Sequence, residues 1–158
     1  MGRQTKTLPV LLLSLVCVAS GNAFAGNFNY RADGEPTMTE RGSPRALGQL
    51  GFRYENGFGV PQDYVAAADL YRRAAEQGDT FAQSRLGLSY DRGHGVPLDD
   101  ILAYKWLNLA AARAPRSQRR FYLTLRNAVA SKMSLAQVSE GQRLAMIWAG
   151  NRTVDSGY

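Results

Sequence analysis

The amino-acid sequence predicts an all-α solenoid of antiparallel helix pairs. Three observations carry that reading: a 36-residue internal repeat, apolar residues at four-residue spacing within each copy, and glycine and proline at matching positions between helices. Setting Ala46–Glu76 over Ala82–Ala112 gives twelve identities in 31 positions, where average composition gives about two. A repeat of this length signals stacked helix pairs, because one pair alone cannot bury its apolar face.

The elements follow in chain order. Met1–Thr7 carries Arg3 and Lys6 and no acid, Leu8–Val18 is almost wholly apolar, and Ala23-Phe24-Ala25 follows. A basic start, a short apolar run and an A-x-A site predict a cleaved secretory signal over residues 1–25, with Gly26 first in the mature chain. The run is too short for a membrane span, which needs about 20 apolar residues. The predicted location is therefore the periplasm or the outside of the cell. The one cysteine, Cys17, falls inside the signal. Val16 before it argues against lipidation, and a thiol-free mature chain excludes disulfides, thiolate metal ligands and a cysteine nucleophile. Residues 26–44 show no periodicity and contain Gly34, Pro36 and Gly42, which predicts a flexible leader.

Ser43-Pro44 suits a helix start, a hydroxyl to cap free amides and a proline at the first position. Ala46, Leu50 and Tyr54 fall four apart and predict a core stripe. Gly51, repeated as Gly87, sits mid-helix, where glycine costs up to about 1 kcal/mol against alanine. Paying that twice at one position predicts close helix–helix approach. Gly57-Phe58-Gly59 and Gly93-His94-Gly95 end the first helix of each copy. Pro61 and Pro97 block its continuation, and Asp63 and Asp99 cap a second, alanine-rich helix, Tyr64 to about Gln77 and Asp100 to about Arg113. Tyr64, Tyr71, Tyr104 and Trp106 are expected to fill the space between helices. The repeats are placed at 45–80 and 81–116.

A C-terminal helix pair over 117–150 is expected to close the array, with a tail over 151–158. Ser117 is read as the cap of a helix burying Phe121, Leu125 and Val129. Ser134-Leu135-Ala136-Gln137 has the form of a capping box, followed by an apolar face of Leu135, Val138, Leu144, Ile147 and Trp148 before Gly150.

The motif Leu50-Gly51-x-x-Tyr54-x-x-Gly57-x-Gly59-Val60-x-x-Asp63, continued through Ala67-Ala68 to Ala74-Ala75-x-x-Gly78, resembles the Sel-1-like repeat, a relative of the tetratricopeptide repeat. Leu86-Gly87-x-x-Tyr90-x-x-Gly93-x-Gly95-Val96-x-x-Asp99 is the second copy. The resemblance covers about residues 45 to 115, and Asn127–Trp148 also looks like the tail that often follows such repeats. It implies a right-handed superhelix and a role as adaptor or scaffold in protein complexes, often exported in bacteria.

The sequence offers little catalytic chemistry. No metal-protease, phosphate-loop or dinucleotide motif is present, and no cofactor or metal site is expected. His94 is the one histidine and occupies a turn. Glu55 and Asp91, equivalent between copies, leave a carboxylate-based cell-wall hydrolase as the remaining enzymatic alternative. The resemblance places first helices on the inner face of the superhelix. Gln49, Arg53 and Asn56, with counterparts Arg85, Ser89 and Arg92, point away from the predicted stripe and suit an acidic or carboxylate-bearing protein segment. Formal charge is +6, and its surplus lies in Arg113, Arg116, Arg119, Arg120, Arg126 and Lys132, a stretch without an acid. That basic strip suggests a second function class, attraction to an anionic envelope polymer or membrane surface. Neither nucleic-acid binding nor stable membrane insertion is expected.

Overall fold

A computed structural model describes residues 42–155. The predicted signal and most of the leader lie outside the described residues. Six helices follow in order: α1 Pro44–Asn56, α2 Tyr64–Glu76, α3 Thr80–Arg92, α4 Asp100–Arg113, α5 Arg116–Ala130 and α6 Leu135–Asp155. Each of the first three packs on its successor, and α1 also touches α3, the stacking of a helical-repeat solenoid. Both α5 and α6 lean principally on α4.

The two loops between paired helices are built alike. Gly57 and Gly93 take left-handed conformations, φ 71° and 69°, and end α1 and α3. Asp63 N–H donates to Tyr54 O and Asp99 N–H to Tyr90 O, both at 3.0 Å. The same aspartates then cap α2 and α4: Asp63 Oδ1 accepts from Val65 and Ala66 at 2.9 and 3.0 Å, Asp99 Oδ1 from Leu102 at 2.9 Å. Ser43 Oγ accepts from Ala46 N–H at 3.2 Å, with Pro44 opening α1 as expected. Asp79, at the start of α3, is a further cap, 2.7 Å from Ala82 N.

The mid-helix glycines are contact points. A Cβ on Gly51 would lie 2.8 Å from Tyr71 Cε1 and 3.2 Å from Ala67 O; one on Gly87 would lie 2.8 Å from Leu107 Cγ and 3.1 Å from Ala103 O. Gly141 in α6 repeats the device against Tyr104 and Ile101 O. The core gathers Leu47, Tyr71, Ala74, Ala75, Leu86, Trp106 and Leu109 around small alanines. Burial of each large side chain is worth about 1.5–3 kcal/mol.

Several expected faces turn out differently. In α1 the buried residues are Leu47, Gly48 and Gly51, while Leu50 is exposed. The equivalent Ala82 and Leu86 of α3 are fully buried against the first repeat. The stripe Ala46–Leu50 is thus an inter-repeat face, which no described helix covers in the first copy. Tyr64 is also exposed. Ser117 does not cap α5: that helix starts at Arg116, after Pro115, with no side-chain cap. It buries Tyr122 and Val129 with Leu125 alongside, and Phe121 faces out. The capping box forms, Ser134 N–H donating to Gln137 Oε1 at 2.8 Å and Gln137 N–H to Ser134 Oγ at 3.3 Å. Beyond it, Leu135 and Ile147 are exposed and α6 buries Gly141 and Ala145 instead. The helix also continues through Gly150 to Asp155.

Candidate interaction surface

Along α1 and α3 the sequence expected one row of solvent-facing polar residues. The helices place them in unequal surroundings. Ser89 is buried, its hydroxyl donating to Arg85 O at 3.1 Å. Arg53 is half-buried and tied to its own loop, Nε donating to Phe58 O at 3.1 Å. Asn56 is exposed and donates to Phe52 O at 2.8 Å; Arg92 is exposed, and Gln49 half-buried. Ser89 therefore drops out as a free contact, because a helix face that stacks on a neighbour has only one edge to spare, and Arg53 keeps only part of its guanidinium for one.

Arg85 is the centre of what remains. Its guanidinium carbon lies 4.9 Å from the Phe52 ring centroid and 5.3 Å from that of Phe81. Its charged partner is Glu55, 3.6 Å away, beyond a good hydrogen bond. Glu55 in turn accepts from the Tyr71 hydroxyl at 2.5 Å. Burial first, and then that carboxylate, hold the Tyr71 hydroxyl well above its ordinary pKa. The outcome is an arginine held beside two aromatic rings, 28% exposed at its side chain, with N–H donors that no hydrogen bond among the described residues consumes. Sequence reading included Arg85 among the candidate contacts but missed this aromatic seat. The signal was Phe81 four residues before it, one helical turn away.

The basic strip divides. Arg116, Arg119 and Arg120 are exposed on α5. Arg126 instead donates to Asn108 Oδ1 at 3.1 Å and lies over the Tyr104 ring. Lys132 is spent on Asp91 and Asp100, at 2.7 and 2.9 Å. Arg113 turns away toward Trp148.

The groups considered for catalysis have packing roles. His94 stacks on Tyr64 of the preceding repeat, centroids 4.6 Å apart. Glu55 and Asp91 do not form a carboxylate pair, each being held by its own cation. Among the described residues no cluster of three or more histidine, cysteine or acidic side chains could hold a metal, and no helix is long and apolar enough to cross a membrane.

Comparison with known proteins is consistent with this architecture. Residues 44–79 and 80–114 each match the family model for the Sel1 repeat. Among solved structures, the chain is similar to a protective antigen of uropathogenic Escherichia coli strains that displays an SLR fold: 31% identity, TM-score 0.63, 70% of this chain and 23% of that one. A Sel1 repeat protein from Oxalobacter formigenes is 40% identical over 54% of this chain and 25% of that one, with TM-score 0.49. The chain thus spans about a quarter of the length of each structure. No curated protein matches.

Proposed function

The chain belongs to the Sel1 repeat family through its two repeats, whose members generally mediate protein–protein interactions, and on that premise we propose that it is a non-catalytic adaptor holding an acidic segment of a partner protein on the α1/α3 face. The observation that supports this most is the Arg85 guanidinium on its Phe52–Phe81 seat. A stacked arginine has little rotamer freedom left to lose, and its fork matches a carboxylate. Arg92, Asn56 and Gln49 would border the contact. Export to the bacterial envelope belongs to the same proposal, supported by the pattern of residues 1–25; the mature N-terminus, read by mass spectrometry of protein recovered from the envelope, tests it at Gly26.

The test of the adaptor reading is capture from envelope extract with wild type, Arg85→Met and Arg119→Glu/Arg120→Glu in parallel, at two salt concentrations. A discrete partner that survives higher salt, withstands the α5 charge reversal and is lost with Arg85→Met supports the adaptor. Diffuse acidic material released by salt and abolished by the α5 reversal would instead favour an anionic polymer or membrane surface as the target.

A further inference from the structure

The loop between α1 and α2 presents a large apolar ring to solvent. Phe58 is 57% exposed, yet one residue holds its backbone on both sides. Its N–H donates to Arg53 O at 2.9 Å, and its carbonyl accepts from Arg53 Nε at 3.1 Å. The second copy uses the same position differently. His94 makes the matching backbone bond, N–H to Ser89 O at 3.0 Å, but its ring stacks on Tyr64 of the first repeat.

Phe58 is not an isolated apolar residue. Its ring meets Phe52 edge-on, centroids 5.9 Å apart, and Phe52 meets Phe81 in the same way at 6.1 Å. A row of three aromatic rings therefore runs from the loop across α1 to α3, and the Arg85 guanidinium lies over two of them, Phe52 and Phe81. Because Phe58 and Arg85 share the Phe52 ring, the Phe58 centroid and the guanidinium carbon are separated by no more than the sum of 5.9 and 4.9 Å. Residues two apart on one face of an extended strand lie about 7 Å from each other. Once side-chain length is added, such a pair spans both contacts.

Charge alone would hold a partner weakly at Arg85. Glu55, 3.6 Å away, already offsets part of it, and an exposed ion pair contributes little by itself. An arginine beside an exposed aromatic ring is, in contrast, the composition in which interface binding energy concentrates. We propose that the segment held at Arg85 is extended and carries a large apolar side chain two positions from its acidic residue, and that Phe58 receives it. This rests on the adaptor reading: Arg85 takes the carboxylate, and Phe58 decides which carboxylate-bearing segments are retained.

The test is selection of a phage-displayed random peptide library on the immobilised mature protein, run in parallel on wild type, Phe58→Ser and Arg85→Met. Wild type is expected to enrich peptides in which Asp or Glu stands two residues from Phe, Tyr, Trp or Leu. Phe58→Ser should keep the acid and lose the apolar neighbour. Its affinity for a peptide selected on wild type, read by fluorescence anisotropy, should fall about fivefold. Arg85→Met should lose the acid. Phe58→Gln serves as the second variant should Phe58→Ser disturb folding by circular dichroism. Acidic peptides without the apolar residue at that spacing, or the same peptides from wild type and both Phe58 variants, would overturn this proposal and leave the adaptor reading standing. Peptides without an acid, a pool unchanged by Arg85→Met, or no enrichment at all would overturn both.

Discussion

Gly87 and Gly150 are both helical glycines, yet alanine should have opposite effects at the two. Alanine gains up to about 1 kcal/mol of helix propensity at either position. At Gly87 its Cβ would meet Leu107 Cγ at 2.8 Å and the Ala103 carbonyl at 3.1 Å, whereas at Gly150 nothing among the described residues lies within 4 Å. Overpacking costs about 1–3 kcal/mol, so Gly87→Ala should lower the urea midpoint and Gly150→Ala raise it. Gln83 is a second informative residue. It is fully buried, with Nε2 donating to Ala75 O at 3.2 Å and Oε1 unpaired among the described residues. The first repeat has Leu47 there. Because Ala75 O also accepts from Gly78 N–H at 2.9 Å, Gln83→Leu leaves no carbonyl bare, and it should hold or raise stability by up to about 1 kcal/mol in the same assay. A measurable loss would show that the amide matters in a way its contacts do not reveal.

Helix ends were more legible than helix faces. The aspartates after Val-Pro and the Ser134–Gln137 box announce themselves through short-range chemistry, and all of them cap. Asp79 follows a glycine that ends a helix, so its capping role was overlooked. Asp79→Ala should cost about 1 kcal/mol of unfolding free energy, with Asp79→Asn restoring most of it. Burial, the largest influence on this carboxyl, raises its pKa above 3.8 in the folded protein. Its ionisation therefore opposes folding as pH rises through the carboxylate range, and a denaturation series in Asp79→Asn should lack that component. Faces failed for a geometric reason. Phe121, Leu125 and Val129 drift around a helix of 3.6 residues per turn, whereas Tyr122, Leu125 and Val129 stay on the side that meets α4. Spacing alone does not say which of two adjacent aromatics a neighbouring helix will cover. Likewise, the motif shared by Leu50 and Leu86 encodes stacking between repeats, and only the second of them has a described repeat to stack on. Arg85 entered the candidate surface by its position on the helix wheel; its aromatic seat depends on Phe52 from another helix, which no local pattern exposes.

At the scale of the molecule, the turn after α5 is tied back to the repeats by Lys132, whose amine bridges Asp91 and Asp100, one at the end of α3 and the other at the start of α4. Those two acids raise the lysine above its ordinary 10.5. The stabilisation is fully present below the unfolded-state lysine pKa and is lost as pH rises through the higher folded value. Thermal midpoints between neutral and strongly alkaline pH should show that loss in wild type and less of it in Lys132→Met; matching profiles would mean the bridge contributes nothing. The stacked repeats lead to a different kind of expectation. Since α3 sits on α2 through positions that both copies share, that junction is a rule for growth, and it does not specify how many units obey it. A tandem duplicate of residues 80–115 would add one more such junction and still present an unchanged α4 to α5. Such a lengthened chain should melt as one cooperative unit at a higher temperature, making this small protein a ruler whose length can be reset without redesigning either end.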